Sequence, residues 1–67
     1  MIIYENMILK VMFYHQLKVV NEHQIVITMK NYTLIIKGKG LFIHFFEKTE
    51  MHIAGEIEEV DFSYDKA

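Results

Sequence analysis

The residues best placed to do chemistry are His44 and His52, which bracket the stretch HFFEKTEMH. If that stretch folds as a hairpin, a loop of odd length such as Glu47–Thr49 sets Met51 and Ile53 beside Phe45 and Ile43 on an apolar face. The same register places His44 opposite His52 on the other face, roughly 5 Å apart at Cβ. Two imidazoles at that distance can share a metal ion, with Glu47 or Glu50 as a conceivable further ligand. A zinc site needs a fuller ligand set, and the sequence pattern does not place His15 and His23. The competing reading is a pair of half-exposed rings that fill area among aromatics. The expectation is therefore no metal and no cofactor, with a small metal- or ligand-binding module at His44 and His52 as the alternative.

Other constellations are weaker. Glu50, Glu56, Glu58, Glu59, Asp61 and Asp65 crowd the C-terminal part of the chain. Paired carboxylates catalyse proton transfer when a cleft splits their pKa values, and a short meander offers little room for a cleft. They read instead as a charged strand face that discourages edge-to-edge aggregation. Ser63 is the only serine and cysteine is absent, so no nucleophilic triad can be composed. The stretch GKG lacks the length and the following helix of a phosphate loop. No catalytic residue is expected, and the chain is read as a non-enzyme.

The elements that would carry these residues emerge from periodicity. Ile25, Ile27 and Met29 alternate along QIVITM, and Tyr32, Leu34 and Ile36 alternate along YTLIIK. A two-residue turn at Lys30-Asn31 opposes Met29 to Tyr32, Ile27 to Leu34 and Ile25 to Ile36, with Asn31 suited to a positive φ. GKG is expected to make the next reversal, opposing Ile36 to Leu41 and Leu34 to Ile43. Leu41, Ile43 and Phe45 then face inward, with Phe42, His44 and Phe46 on the second face. Gly55 marks a bend or a close backbone approach. The break in alternation at Glu58-Glu59 marks a β-bulge, after which Val60, Phe62 and Tyr64 share a face. Asp65-Lys66-Ala67 is expected to fray.

The N-terminal third is more ambiguous. Its odd positions from Leu9 to Val19 alternate, yet Leu9, Phe13, Leu17 and Val20 also make a helical stripe. Branched residues and missing caps favour one strand, or two with a bend, and Tyr4-Glu5-Asn6 reads as a further turn. The whole predicts an all-β fold of five to six antiparallel strands in a meander, as a small sandwich or an open sheet closed by association. It is taken as a single domain over residues 1–67.

Composition bounds the rest. At 67 residues and 52% apolar content, without cysteine, the chain can build only a small core and no disulfide. A net charge of −2 without a basic patch argues against nucleic acid. Apolar runs are short and interrupted, and MIIYENMILK lacks the features of a signal peptide, so a soluble cytoplasmic protein is expected. Val26, Ile35, Phe42 and Phe46 project opposite to the inner set, on a face that solvation alone would keep polar. These residues are the candidate interface, and a homo-oligomer is the expected state.

From Tyr14 to Tyr64 the chain resembles the YabP/YqfC family of small sporulation proteins from endospore-forming bacteria. The features that carry the resemblance are YHQLKVV, the alternation QIVITMKNYTLIIKGKGL with Gly38 and Leu41, and MHIAGEIEEVDFSY with Gly55, Glu56, Ile57 and Val60. The resemblance implies a non-enzymatic β protein of the mother-cell cytoplasm. Its implied partners are other sporulation proteins, a membrane protein among them. It brings no catalytic residues to transfer.

Overall fold

The structure is a computed structural model and describes residues 1–64. All of its regular elements are strands: β1 (Ile2–Glu5), β2 (Ile8–Met12), β3 (Gln16–Val20), β4 (Gln24–Thr28), β5 (Tyr32–Phe46) and β6 (Glu50–Tyr64). They form one antiparallel sheet in the order β1-β2-β6-β5-β4-β3. Strands β3 to β6 succeed one another as a meander, and the β1–β2 hairpin adds to the far side of β6. The frayed tail expected at Asp65-Lys66-Ala67 lies outside the described residues.

The β4–β5 hairpin has the register that alternation dictates, with Ile25 opposite Ile36 and Ile27 opposite Leu34. Met29 N–H donates to the Tyr32 carbonyl at 2.8 Å, which closes the turn without a positive φ at Asn31. The N-terminal segment is two strands with a bend between them, β2 and β3, as branched residues favour. The first turn falls on Asn6-Met7, one step beyond the stretch expected, with both residues at positive φ. That pair of dihedrals is the signature of a two-residue hairpin loop matched to strand twist.

The expected reversal at GKG does not occur. Chain reversal waits for Glu47–Thr49, and β5 continues through Gly38, Lys39 and Gly40 without reversing. The glycines serve a bend. Register shifts between Lys37 and Gly38 and between Lys39 and Phe42. A Cβ on Gly55, which has φ +115, would lie 2.5 Å from the Gly40 carbonyl oxygen. The two strands therefore press together where only a bare backbone fits.

Hydrogen bonds show how sharp the bend is. Phe13 N–H donates to the Thr49 carbonyl at 2.7 Å, and His15 N–H donates to the Thr28 carbonyl at 2.8 Å. Thr28 pairs with Thr33 at the start of β5, whereas Thr49 lies just beyond the end of β5. In a flat ribbon those ends would be roughly 40 Å apart, and a link from Phe13 to His15 reaches about 8 Å. The β5–β6 ribbon must double back, so the sheet folds over itself.

The fold-over makes the core. Leu9, Val11, Met51 and Ile53 come from one end of the ribbon, and Ile25, Ile27, Leu34 and Ile36 from the other. All eight are buried in one cluster with Met29 and Leu41. A sheet without a helix to cover it can bury one face so completely only against another part of itself.

The β3–β4 loop completes the bend. Asn21 Oδ1 accepts from the backbone N–H of His23 and of Gln24, an Asx-type turn. The carbonyls of His23 and Glu22 then accept from Gly38 and Leu41, past the point where β4 stops pairing.

Candidate interaction site

The histidine pair comes first, because its geometry depends on register. The loop between β5 and β6 is Glu47–Thr49, the odd length expected. A bulge after Ile43 shifts the pairing beyond it: Ile43 opposes Ile53, His44 is the extra residue, and Phe45 opposes His52. His44 is therefore not opposite His52. Insertion of one residue hands the partner position to the next side chain. Phe45 and His52 stack with ring centroids 4.8 Å apart, and His44 meets Phe42 edge-on at 6.4 Å.

The His52 ring is hydrogen-bonded through Nε2 to the Glu50 carboxylate and has Lys10 opposite it on β2. Lys10 is itself paired with Glu5 at 3.2 Å. Among the described residues no group of three or more His, Cys, Asp or Glu side chains is placed to hold a metal ion.

The same bulge reverses the two phenylalanines. Phe45 leaves the inner set for the outer face beside His52, and Phe46 turns to the inner side opposite Met51. Neither is covered: Phe45 is 42% exposed and Phe46 56%. Phe46 leans on the Tyr14 ring at 5.9 Å, and the Tyr14 hydroxyl donates to the Glu47 carbonyl at 2.6 Å. Leu41 and Ile43 remain on the inner side as alternation requires, buried and half-buried.

The four candidate interface residues thus fall into separate places. Val26 and Ile35 are direct cross-strand partners, both half-buried, on the outer face of the β3–β4–β5 end. Phe42 lies on the outer face of the other end, opposite Ala54, and is 51% exposed. Phe46 sits at the rim. Alternation did not single out Phe45 as exposed, and it joins Phe42 on the outer face.

The acidic residues are spread along β6. Glu56 opposes Lys39, Glu59 opposes Lys37, and Glu58 approaches Lys39 Nζ at 3.8 Å. Glu58 is the extra residue of a bulge, the irregularity that the broken alternation marks. Glu59 and Asp61 share the outer face. A hydrogen bond with Asp61 and repulsion from its charge push the Glu59 carboxyl above its ordinary range, and Lys37 pulls the other way. Asp65 lies outside the described residues. A hollow of about 260 Å³ opens where β2 leaves β6, lined by Tyr4, Leu9, Ile57, Glu58, Glu59 and Val60. No histidine borders it.

The C-terminal part of β6 carries a second aromatic group. Tyr32 packs on Phe62 at 5.5 Å and on Tyr64 at 5.6 Å, on the inner side of the sheet, yet Phe62 is 47% and Tyr64 68% exposed. Val60, Phe62 and Tyr64 share one face, as the resumed alternation requires, and lie opposite Ile36, Leu34 and Tyr32.

A family model described as the YabP family matches residues 1–67. The chain belongs to the YabP family. The match takes in the N-terminal segment before Tyr14 as well as the stretches that resemble the family by eye. No curated protein and no solved structure shows significant similarity to this YabP-family chain. Among the described residues no helix is long and apolar enough to cross a membrane.

Proposed function

We propose that this YabP-family chain is a non-enzymatic structural or interaction domain of sporulation, working in the mother-cell cytoplasm through self-assembly or a partner protein. The observation that carries the reading is the aromatic surface of the second half of β5. Phe42 and Phe45 stand on the outer face and Phe46 beside them at the edge of the inner side, each more than two-fifths exposed. Single exposed apolar residues are ordinary on protein surfaces, but a cluster of large rings on one short strand segment is the usual mark of a contact surface. Val26 and Ile35 supply a second apolar patch, shared between β4 and the first half of β5. Family membership supports the sporulation setting.

The test is molar mass in solution by light scattering behind a sizing column, across a range of concentrations, for the wild type, Phe42→Glu and Phe46→Glu. Self-assembly through this surface predicts an oligomer that either substitution dissociates while far-UV spectra stay unchanged. A monomer at every concentration removes the self-assembly arm and leaves a different protein as the occupant.

A further inference from the structure

Among the described residues four strand edges lack a strand partner over part or all of their length, and three of them are blunted. β1 is only four residues long. β3 is bulged at Lys18, and the free part of β5 is bulged at His44. Short strands, bulges and an edge lysine are the usual protections of an exposed edge. The fourth is the far edge of β6. β2 pairs with β6 only over Glu50–Ile53, so among the described residues no strand pairs with Gly55–Tyr64 on that side. Within it, Glu59–Tyr64 holds unbroken register with β5, from Lys37 opposite Glu59 to Tyr32 opposite Tyr64. It is a regular template whose alternate backbone groups point outward unpaired.

The side chains beside that edge state what would pair with it. On the inner side it presents Val60, Phe62 and Tyr64, the latter two largely uncovered. On the outer side it presents Glu59, opposite Lys37, and Asp61, opposite the apolar Ile35. At the near end, the hollow is lined by Tyr4, Leu9, Ile57 and Val60 together with the acidic Glu58 and Glu59.

We propose that the β6 edge over Glu59–Tyr64 receives an extended segment of another protein in which basic residues alternate with apolar ones. Its apolar side chains meet Val60, Phe62 and Tyr64, and its basic side chains meet Glu59 and Asp61. Backbone hydrogen bonds supply affinity and the alternate side chains supply specificity, as in other strand-addition complexes. A second copy fits poorly. Antiparallel pairing of two β6 edges would gather Glu59 and Asp61 of both copies on one face, and like charges directly opposite destabilise a ladder. The β3 edge, QLKVV, offers one lysine and places it in a bulge. The mutual repulsion of Glu59 and Asp61 is also what a cation on the neighbouring strand would relieve.

The inference rests on the reading of the chain as an interaction domain but uses a different surface from Phe42 and Phe46. The test is a short synthetic peptide of alternating lysine and valine added to the isotopically labelled full chain, with backbone amides tracked by NMR. Perturbed and exchange-protected amides over Glu59–Tyr64 are expected, with roughly tenfold or weaker binding of the same peptide carrying glutamate for lysine. The double variant Glu59→Lys, Asp61→Lys should invert that preference, and binding of the acidic peptide would itself report a folded edge. The peptide should bind equally well to Phe42→Glu, which separates this site from the aromatic surface. Perturbations elsewhere, equal binding of both peptides, or protection of Glu59–Tyr64 through dimerisation without peptide would each overturn the proposal.

Discussion

The backbone of Gly38 passes so close to Glu56 that a Cβ at Gly38 would overlap the Glu56 carbonyl oxygen. The neighbour is main chain in the middle of a paired strand, so it cannot swing aside as a side-chain tip could. Gly40 is the instructive contrast: nothing lies within 4 Å of its Cβ position, but its φ is +58. Gly38→Ala should therefore destabilise the fold by about 3 kcal/mol or more through backbone displacement. Gly40→Ala should cost only about 1 kcal/mol, the ordinary penalty of a left-handed residue. Urea unfolding midpoints of both variants decide it, and equal losses would mean that the bend is not held by the Gly38–Glu56 approach.

That contact also explains which parts of the fold were legible in the sequence. The β4–β5 hairpin was readable because its evidence is local: two alternating runs and a short turn agree on one register. The bulge at Glu58 was readable because it breaks an alternation that resumes at Val60. GKG misled because glycine marks a reversal and a sharp bend equally well, and the choice depends on Glu56 and Gly55, which are distant in sequence. The exchange of Phe45 and Phe46 was hidden for another reason. Two adjacent phenylalanines look the same whichever of them faces inward, so a bulge at His44 leaves no trace in the pattern. Free edges are not encoded in any one segment at all; they appear only when the end of β2 pairing along β6 is known.

Ile27 and Leu34 face each other across β4 and β5, and neither has any solvent exposure. Truncating either to alanine removes buried methyl groups from the single core that the two halves of the sheet share. The expected loss is about 2–5 kcal/mol each. A domain of this size has a total stability of roughly 3–10 kcal/mol, so either variant should lose a large share of it and unfold at a much lower denaturant concentration. Ile27→Val should cost about 1 kcal/mol and keep the fold. Denaturant titrations of the three variants check this; tolerance of both alanines would show that the two halves of the sheet do not share one core.

Met7 occupies a turn position with φ 63, next to Asn6 with φ 53, and is 74% exposed. Its side chain gains almost nothing from packing, while its Cβ bears the strain of the left-handed region. Met7→Gly supplies the Asn-Gly pair that this turn geometry prefers. The expected effect is a gain of about 1 kcal/mol, read as a higher urea midpoint with unchanged secondary structure. A loss would indicate that the β1–β2 hairpin closes through some other turn.

Glu59 and Asp61 give the chain a small acid-dependent term. The hydrogen bond and repulsion from Asp61 raise the folded-state pKa of Glu59 above its ordinary 4.5, with Lys37 opposing. A folded state that holds this proton more tightly than the unfolded chain gains stability as pH falls through the raised value. The repulsion is fully felt above that value and is absent once pH is below 4.5, where folded and unfolded forms are both protonated. Glu59→Gln should therefore raise the unfolding midpoint at neutral pH, and its advantage should shrink to nothing in acid. A variant whose advantage is the same at every pH would show that the two carboxylates do not interact.

The alternative metal module at His44 and His52 makes a prediction that the bulge reverses. Directly opposed imidazoles would chelate zinc or nickel, and the metal would stabilise the folded state by mass action. With Phe45 stacked on His52 and His44 turned towards Phe42, the two rings have lost the shared position that bidentate binding requires. Thermal unfolding with and without zinc should coincide, for the wild type and for His44→Ala alike. A stabilisation by zinc that His44→Ala abolishes would mean that the hairpin adopts the unbulged register in solution, and that Phe45 rather than Phe46 then turns inward beside Met51.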